Sequence, residues 1–182
     1  LSKDKLILKS ELFSNDGKKK FEFQSSGHFR DAGEIIHVTI ELPNDLNSLI
    51  KLKIDRNRRT LIESNHTSTH LLHQALRKIL GNHVEQRGSM ISDKMFRFDF
   101  SHQNKISDSE LSNVNNFVNE KINESIDLIE NREEDYQIAS KNGAIGLFTE
   151  KYEDKVRTIK FNDSYELCGG THVKNTGDIS SF

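Results

Sequence analysis

The sequence predicts an α+β protein: a small amino-terminal β-barrel followed by a core in which helices pack on an antiparallel sheet. Three observations carry this prediction. Residues 1–60 hold several short strand-like runs separated by turns, apolar residues adopt a helical period from Ser64 onward, and later runs alternate in hydropathy. The boundary falls at the change of period. It divides the chain into a barrel-like subdomain over residues 1–60 and an α+β core over residues 61–182.

In the first part, Leu6-Ile7-Leu8, Phe21-Glu22-Phe23 and residues 35–40 read as strands, and residues 49–54 alternate clearly. Asn15-Asp16-Gly17 and Pro43-Asn44-Asp45 read as turns. Leu71, Leu72, Ala75, Leu76, Ile79 and Leu80 then recur at helical spacing, and Gly81 offers a stop. Strands are expected around Val84-Glu85-Gln86 and over residues 95–100. Ser107-Asp108-Ser109-Glu110 has the form of a capping box and is expected to open the longest helix, with Leu111, Val114, Phe117, Val118, Ile122, Ile126 and Ile129 as its buried stripe. A shorter helix near residues 137–141 ends at Asn142-Gly143. Strands over 156–161 and 165–167 follow, the second running straight into Cys168.

The totals exclude little. With 26 Lys+Arg against 28 Asp+Glu, net charge argues neither for nor against nucleic acid. No apolar run approaches a membrane span, and the first residues lack a signal peptide's hydrophobic region. The single cysteine cannot form an internal disulfide, which fits a reducing compartment and an expected cytoplasmic location. A start without methionine and a stop at Ser180-Ser181-Phe182 suggest a domain excised from a longer chain.

Two short stretches carry the chemistry. Asn65-His66-Thr67-Ser68-Thr69-His70 places two imidazoles four residues apart, hence on one face of a helix. Cys168-Gly169-Gly170-Thr171-His172 places a thiol and an imidazole at the same separation across two glycines, which permit a sharp bend. A His pair at this spacing alone describes packed or solvated histidines equally well. Three nitrogen donors and one sulfur together make a tetrahedral set that suits zinc. His73 shares the helix face and reads as a packing residue behind the site.

These residues resemble alanyl-tRNA synthetases, class II enzymes, in their editing domain. The stretches that carry the likeness are Asn65-His66-Thr67-Ser68-Thr69-His70-Leu71-Leu72-His73, Gln86-Arg87-Gly88-Ser89, Arg97-Phe98-Asp99-Phe100-Ser101-His102 and Glu166-Leu167-Cys168-Gly169-Gly170-Thr171-His172-Val173. Gly143-Ala144-Ile145-Gly146-Leu147-Phe148, Lys151-Tyr152-Glu153-Asp154-Lys155-Val156-Arg157 and Thr176-Gly177-Asp178-Ile179 complete it. The editing domain of threonyl-tRNA synthetase and the free-standing AlaX proteins are less similar in these stretches. Residues 25–33 align with a glycine-rich loop of the family, but Ser26, His28 and Arg30 replace two glycines and a glutamine there. That puts any substrate role of the loop in doubt.

The resemblance implies hydrolysis of the ester in mischarged Ser-tRNA(Ala) or Gly-tRNA(Ala). Its zinc ligands would be His66, His70, Cys168 and His172. Thr67, Gln86 and Ser89 would lie near the amino acid, where each is otherwise an ordinary helix, strand or turn residue. The implied partners are tRNA(Ala) and the remaining synthetase domains, with no membrane, and ATP is implied only for the full-length synthetase. An alanine pocket rejects glycine or serine weakly, since one methyl group is worth only about 1–3 kcal/mol, so a second site that bonds the serine hydroxyl is needed. Zinc can supply hydroxide from bound water near neutral pH, with Cys168 or His66 positioning the water. Four protein ligands, however, describe a closed structural site more than an open catalytic one. Arg56, Arg58 and Arg59, ending shortly before the helix, are the candidates for guiding a phosphate backbone. Lys18-Lys19-Lys20, Lys51, Lys53, Arg77 and Lys78 are further local concentrations of charge. Two other classes fit the same residues: a zinc-stabilised tRNA-binding module without catalysis, and a hydrolase with Cys168 as nucleophile.

Overall fold

The computed structural model describes the backbone of residues 8–13, 19–31, 34–39, 50–146 and 152–182, and side chains over residues 54–146 and 152–182. The chain divides into two compact units, Leu1–Arg59 and Thr60–Phe182. The protein is α+β, with antiparallel sheets as expected.

The first unit is a four-stranded antiparallel sheet of β1 (Leu8–Phe13), β2 (Lys19–Asp31), β3 (Glu34–Thr39) and β4 (Ile50–Ile54), in the order β3-β2-β1-β4. Among the described residues β3 and β4 remain its two edges, so no closed barrel is seen. The stretch expected to form a loop at residues 25–33 lies mostly within β2. His28 pairs with His37 of β3, and a register shift between Ser25 and Gly27 marks a bulge. The expected turns at Asn15-Asp16-Gly17 and Pro43-Asn44-Asp45 lie outside the described residues.

The second unit is built on α1 (Arg56–Leu80), which starts eight residues before the position expected from its apolar period. The cause is local. Asp55 caps it, its carboxylate accepting the Arg58 N–H at 3.0 Å and its carbonyl the Arg59 N–H at 2.9 Å. Arg56, Arg58 and Arg59 thus form its first turn and do not precede it. Gly81 ends it with φ +118, a conformation that favours glycine. Arg77 then holds the exit, donating to the Asn82 and Val84 carbonyls at 3.0 and 2.8 Å.

A hairpin of β5 (Gln86–Ile91) and β6 (Phe96–Phe100) follows, with a bulge between Gln86 and Gly88. The capping box then opens α2 (Asp108–Asn123): the Ser107 hydroxyl accepts the Glu110 N–H, and the Glu110 carboxylate accepts the Ser107 N–H. At 16 residues, α2 is shorter than the 25-residue α1, contrary to expectation. Its buried stripe is Val114, Val118 and Ile122; Leu111 is half exposed. The helix stops because Thr176 captures its end. The Thr176 hydroxyl donates to the Lys121 carbonyl at 2.7 Å and accepts the Ile126 N–H at 2.8 Å, while Ser125 turns to φ 51. Ile129, expected on the helix, instead opens β7 (Ile129–Asp135).

After α3 (Tyr136–Lys141), β8 (Lys155–Phe161) and β9 (Ser164–Leu167) complete an antiparallel sheet in the order β7-β8-β9. The core joins Leu71, Ala75 and Leu76 of α1 to Val118 and Ile122 of α2 and to Ile159 and Phe161 of β8. Burying each of the larger side chains contributes about 1.5–3 kcal/mol. On its free edge β9 is held by Ile145, whose N–H donates to the Tyr165 carbonyl and whose carbonyl accepts the Leu167 N–H. The strand leading into Cys168 is therefore fixed on both sides.

Candidate metal centre

The helical period and the β9 exit bring four side chains to one point. One donor atom from each of His66, His70, Cys168 and His172 lies within 4.8 Å of the others. Cys168 Sγ is 3.5 Å from His66 Nε2 and 3.4 Å from His172 Nε2. Bonds of about 2.3 Å to sulfur and 2.0–2.1 Å to nitrogen at a tetrahedral angle give a donor separation of about 3.6 Å. The spacing fits a four-coordinate metal ion.

The imidazoles of His66 and His172 are turned for this task by hydrogen bonds at their outer nitrogens, while that of His70 has only a longer approach to a carboxylate. His66 Nδ1 donates to the Thr171 carbonyl at 3.1 Å, His172 Nδ1 lies 3.1 Å from the Thr67 hydroxyl, and His70 Nδ1 lies 3.6 Å from Glu166 Oε2. Fixing the proton on Nδ1 leaves the Nε2 lone pairs of His66 and His172 facing the sulfur. Burial, and next the repulsion that would arise if it and His70 were both protonated, pushes His66 down to about 3. Burial also lowers His70 and His172 below the ordinary histidine value. All three are thus held neutral, the form that binds metal. The sulfur accepts the Gly170 N–H at 3.3 Å.

Behind the cluster stands a buried carboxylate. Glu166 and Cys168 are two residues apart, and β9 buries Ser164 and Glu166 on one face. Burial disfavours the ionised form of Glu166, yet the imidazoles of His70 and His73 outweigh this and hold its carboxyl below the usual range. His73 Nδ1 is 3.1 Å from Glu166 Oε1, so His73 serves the carboxylate and is not a ligand in the cluster.

Space as well as polarity shapes the turn. A Cβ at Gly170 would overlap the imidazole of His66, whereas one at Gly169 would meet nothing within 4 Å. Arg157 of β8 grips the same turn, donating from Nη1 to the carbonyls of Cys168 and Gly170 at 2.7 and 2.6 Å.

The other expected site residues divide. Thr67, expected beside the amino acid, is wholly buried, and its hydroxyl meets His172 Nδ1 and accepts the Val173 N–H at 3.2 Å. The Thr67 hydroxyl thus contacts the cluster residue His172 directly. Gln86 and Ser89 come together across the β5 bulge, with Gln86 Nε2 donating to Ser89 Oγ at 3.1 Å. Among the described residues neither bonds to the cluster. The hairpin that carries them is tied to α1 next to His66, since Asn65 Nδ2 donates to the Ser92 carbonyl at 2.8 Å. Arg56, Arg58 and Arg59 occupy the first turn of α1. Sequence reasoning did not single out Arg157 or Glu166. The signal for Glu166 was its even spacing from Cys168; for Arg157 there was only a charge set among Val156, Thr158 and Ile159.

Residues 156–182 match the family model described as the threonyl and alanyl tRNA synthetase second additional domain. An alanine–tRNA ligase of Christiangramia forsetii is 53% identical over 153 residues, which is 84% of this chain and 18% of that protein. That of Cytophaga hutchinsonii is 50% identical over 150 residues, covering 81% and 17%, and that of Thermoanaerobacter pseudethanolicus 52% over 134, covering 73% and 15%. The chain therefore spans less than a fifth of the length of these relatives. By this likeness over most of its residues, the chain belongs to the alanyl-tRNA synthetase family.

Proposed function

We propose that the His66, His70, Cys168 and His172 cluster holds zinc and forms an editing site that hydrolyses the ester of tRNA(Ala) mischarged with serine or glycine. The observation that carries this reading is the half-buried set of three imidazoles and one sulfur whose donor atoms lie within 4.8 Å of one another, in a chain half identical to alanine–tRNA ligases. When bound, zinc polarises a carbonyl and makes water acidic enough to yield hydroxide near neutral pH. The chain's own residues do the rest. The Thr171 carbonyl and Thr67 fix the imidazoles of His66 and His172, and Gly170 lets the sulfur-bearing turn pack against His66. Gln86 and Ser89 supply the polar groups that distinguish a serine ester from alanine, because bonding groups left unpaired by alanine disfavour it. Arg56, Arg58 and Arg59 attract the phosphate backbone.

In this reading residues 1–60 form a small barrel subdomain and residues 61–182 the editing core, acting in the cytoplasm as part of a synthetase. Aminoacylation and ATP use belong to other regions of such an enzyme. A second reading, a metal-stabilised tRNA-binding module, is favoured by one observation: four protein donors lie together, and all four binding one ion would fill a tetrahedral site.

The deciding experiment measures hydrolysis of Ser-tRNA(Ala), Gly-tRNA(Ala) and Ala-tRNA(Ala), with zinc and after chelation. Metal-dependent loss of the serine and glycine esters, with the alanine ester spared, is the expected result. Tight tRNA binding with no hydrolysis would favour the binding module. Hydrolysis that survives chelation but not alkylation of Cys168 would replace the metal mechanism with a cysteine nucleophile.

A further inference from the structure

The Cys168–His172 half of the cluster is the part a helix cannot hold. His66 and His70 are spaced by α1, but the cysteine lies in a turn rich in glycine, whose backbone freedom opposes a fixed geometry. Such a turn needs an external restraint. Arg157 supplies it. One guanidinium nitrogen bridges the Cys168 and Gly170 carbonyls at 2.7 and 2.6 Å, and Nε donates to Glu130 Oε1 on β7 at 2.7 Å. The Arg157 carbonyl in turn accepts the Cys168 N–H at 3.1 Å. Residues 168–170 are thus tied to a single strand residue at both ends of the bend, and that residue is itself tied to a neighbouring strand.

We propose that Arg157, anchored by Glu130, is the positioning residue that sets the sulfur donor of the metal centre. The inference deepens the metal reading above and rests on it. The planar fork is essential: a lysine ammonium keeps the charge but cannot bridge two carbonyls while its stem is held by a carboxylate.

Arg132 provides an internal control, because its Nε also donates to Glu130 Oε1 at 2.6 Å, yet its side chain is 76% exposed. It touches the anchor and not the turn.

The test is cobalt and zinc titration of the whole chain and of the variants Arg157→Gln, Arg157→Lys, Glu130→Gln and Arg132→Gln. The readouts are metal affinity, the sulfur-to-cobalt charge-transfer band, and the unfolding midpoint of each metal-free form. Outer groups that orient ligands typically change metal affinity 10–100-fold. We expect that loss, with a weakened or shifted sulfur band, for both Arg157 variants. A smaller loss is expected for Glu130→Gln and none for Arg132→Gln. Unchanged affinity and spectrum in Arg157→Gln would overturn the proposal. So would full rescue by Arg157→Lys, or a fall in metal-free stability with affinity and band intact in the folded fraction. A wild-type chain that takes up no cobalt would instead overturn the metal centre itself, and this inference with it.

Discussion

The backbone of Gly170 packs directly on the imidazole of His66, so closely that a Cβ at this position would occupy the ring's own space. The two residues come from elements about a hundred positions apart in sequence. Their contact sets how near the sulfur-bearing turn can approach the helix. Gly170→Ala is expected to abolish metal binding, and Gly169→Ala, whose Cβ meets nothing within 4 Å, to leave it intact. Parallel zinc titrations, with circular dichroism to establish folding, compare them. Equal affinity in the two variants would contradict the packing argument.

Thr67 and Gln86 should separate metal from substrate effects. Thr67→Val removes the acceptor of the Val173 N–H and the partner of His172 Nδ1. It should weaken metal binding about 10–100-fold. Gln86→Ala should keep the metal and erode the preference for serine over alanine esters. A Thr67→Val variant with native metal affinity and altered ester preference would return Thr67 to the substrate side.

Thr176 makes the stop of α2 a tertiary event. Its hydroxyl is buried and serves both the Lys121 carbonyl and the Ile126 N–H. Thr176→Val keeps the shape and strands both groups, so a loss of about 1–3 kcal/mol is expected in urea denaturation. An unchanged midpoint would mean that water replaces the hydroxyl without cost.

Acid should release the Arg157 anchor. The guanidinium of Arg157, and then that of Arg132, holds the Glu130 carboxyl below the usual carboxylate range. Its folded value therefore lies below its unfolded one, and the unfolded chain binds the proton first as pH falls. The stability Glu130 contributes is full above the unfolded value and declines as pH drops through the folded one. Wild type and Glu130→Gln, each unfolded across a pH series, should differ at neutral pH and converge in acid. A constant difference would show that the ionised carboxylate is not the relevant form.

Removing the metal should lower stability even without substrate. A ligand that binds only the folded chain adds about 2.7 kcal/mol at a hundredfold excess over its Kd. Chelation should accordingly lower the unfolding temperature of the wild type and leave that of His172→Ala almost unmoved. Identical responses in the two would exclude a metal held by His172.

Much of this protein was decided by short-range signals. The spacing of His66 and His70 puts both on one face because a helical turn is 3.6 residues, wherever the helix lies. Ser107 and Glu110 cap α2 across three residues, and Gly81 and Gly143 take the positive φ values that end their helices. Asp55 belonged to the same class of signal, since it caps α1 through neighbours three and four residues on, but the basic run after it masked the start. The β7 strand was hidden for a related reason: its residues are charged and mostly exposed, so no apolar alternation announces it. Tertiary structure alone decided the rest. Thr176 ends α2 from 50 residues away, Thr67 turns inward to a backbone N–H 106 residues away, and Arg157 closes on a turn that only the β8–β9 pairing brings beside it. A side chain's nearest neighbours along the chain are fixed by covalent geometry, so sequence reveals them. Its distant partners exist only once packing has brought their elements together, and that is where the side chains of this cluster acquire their orientation.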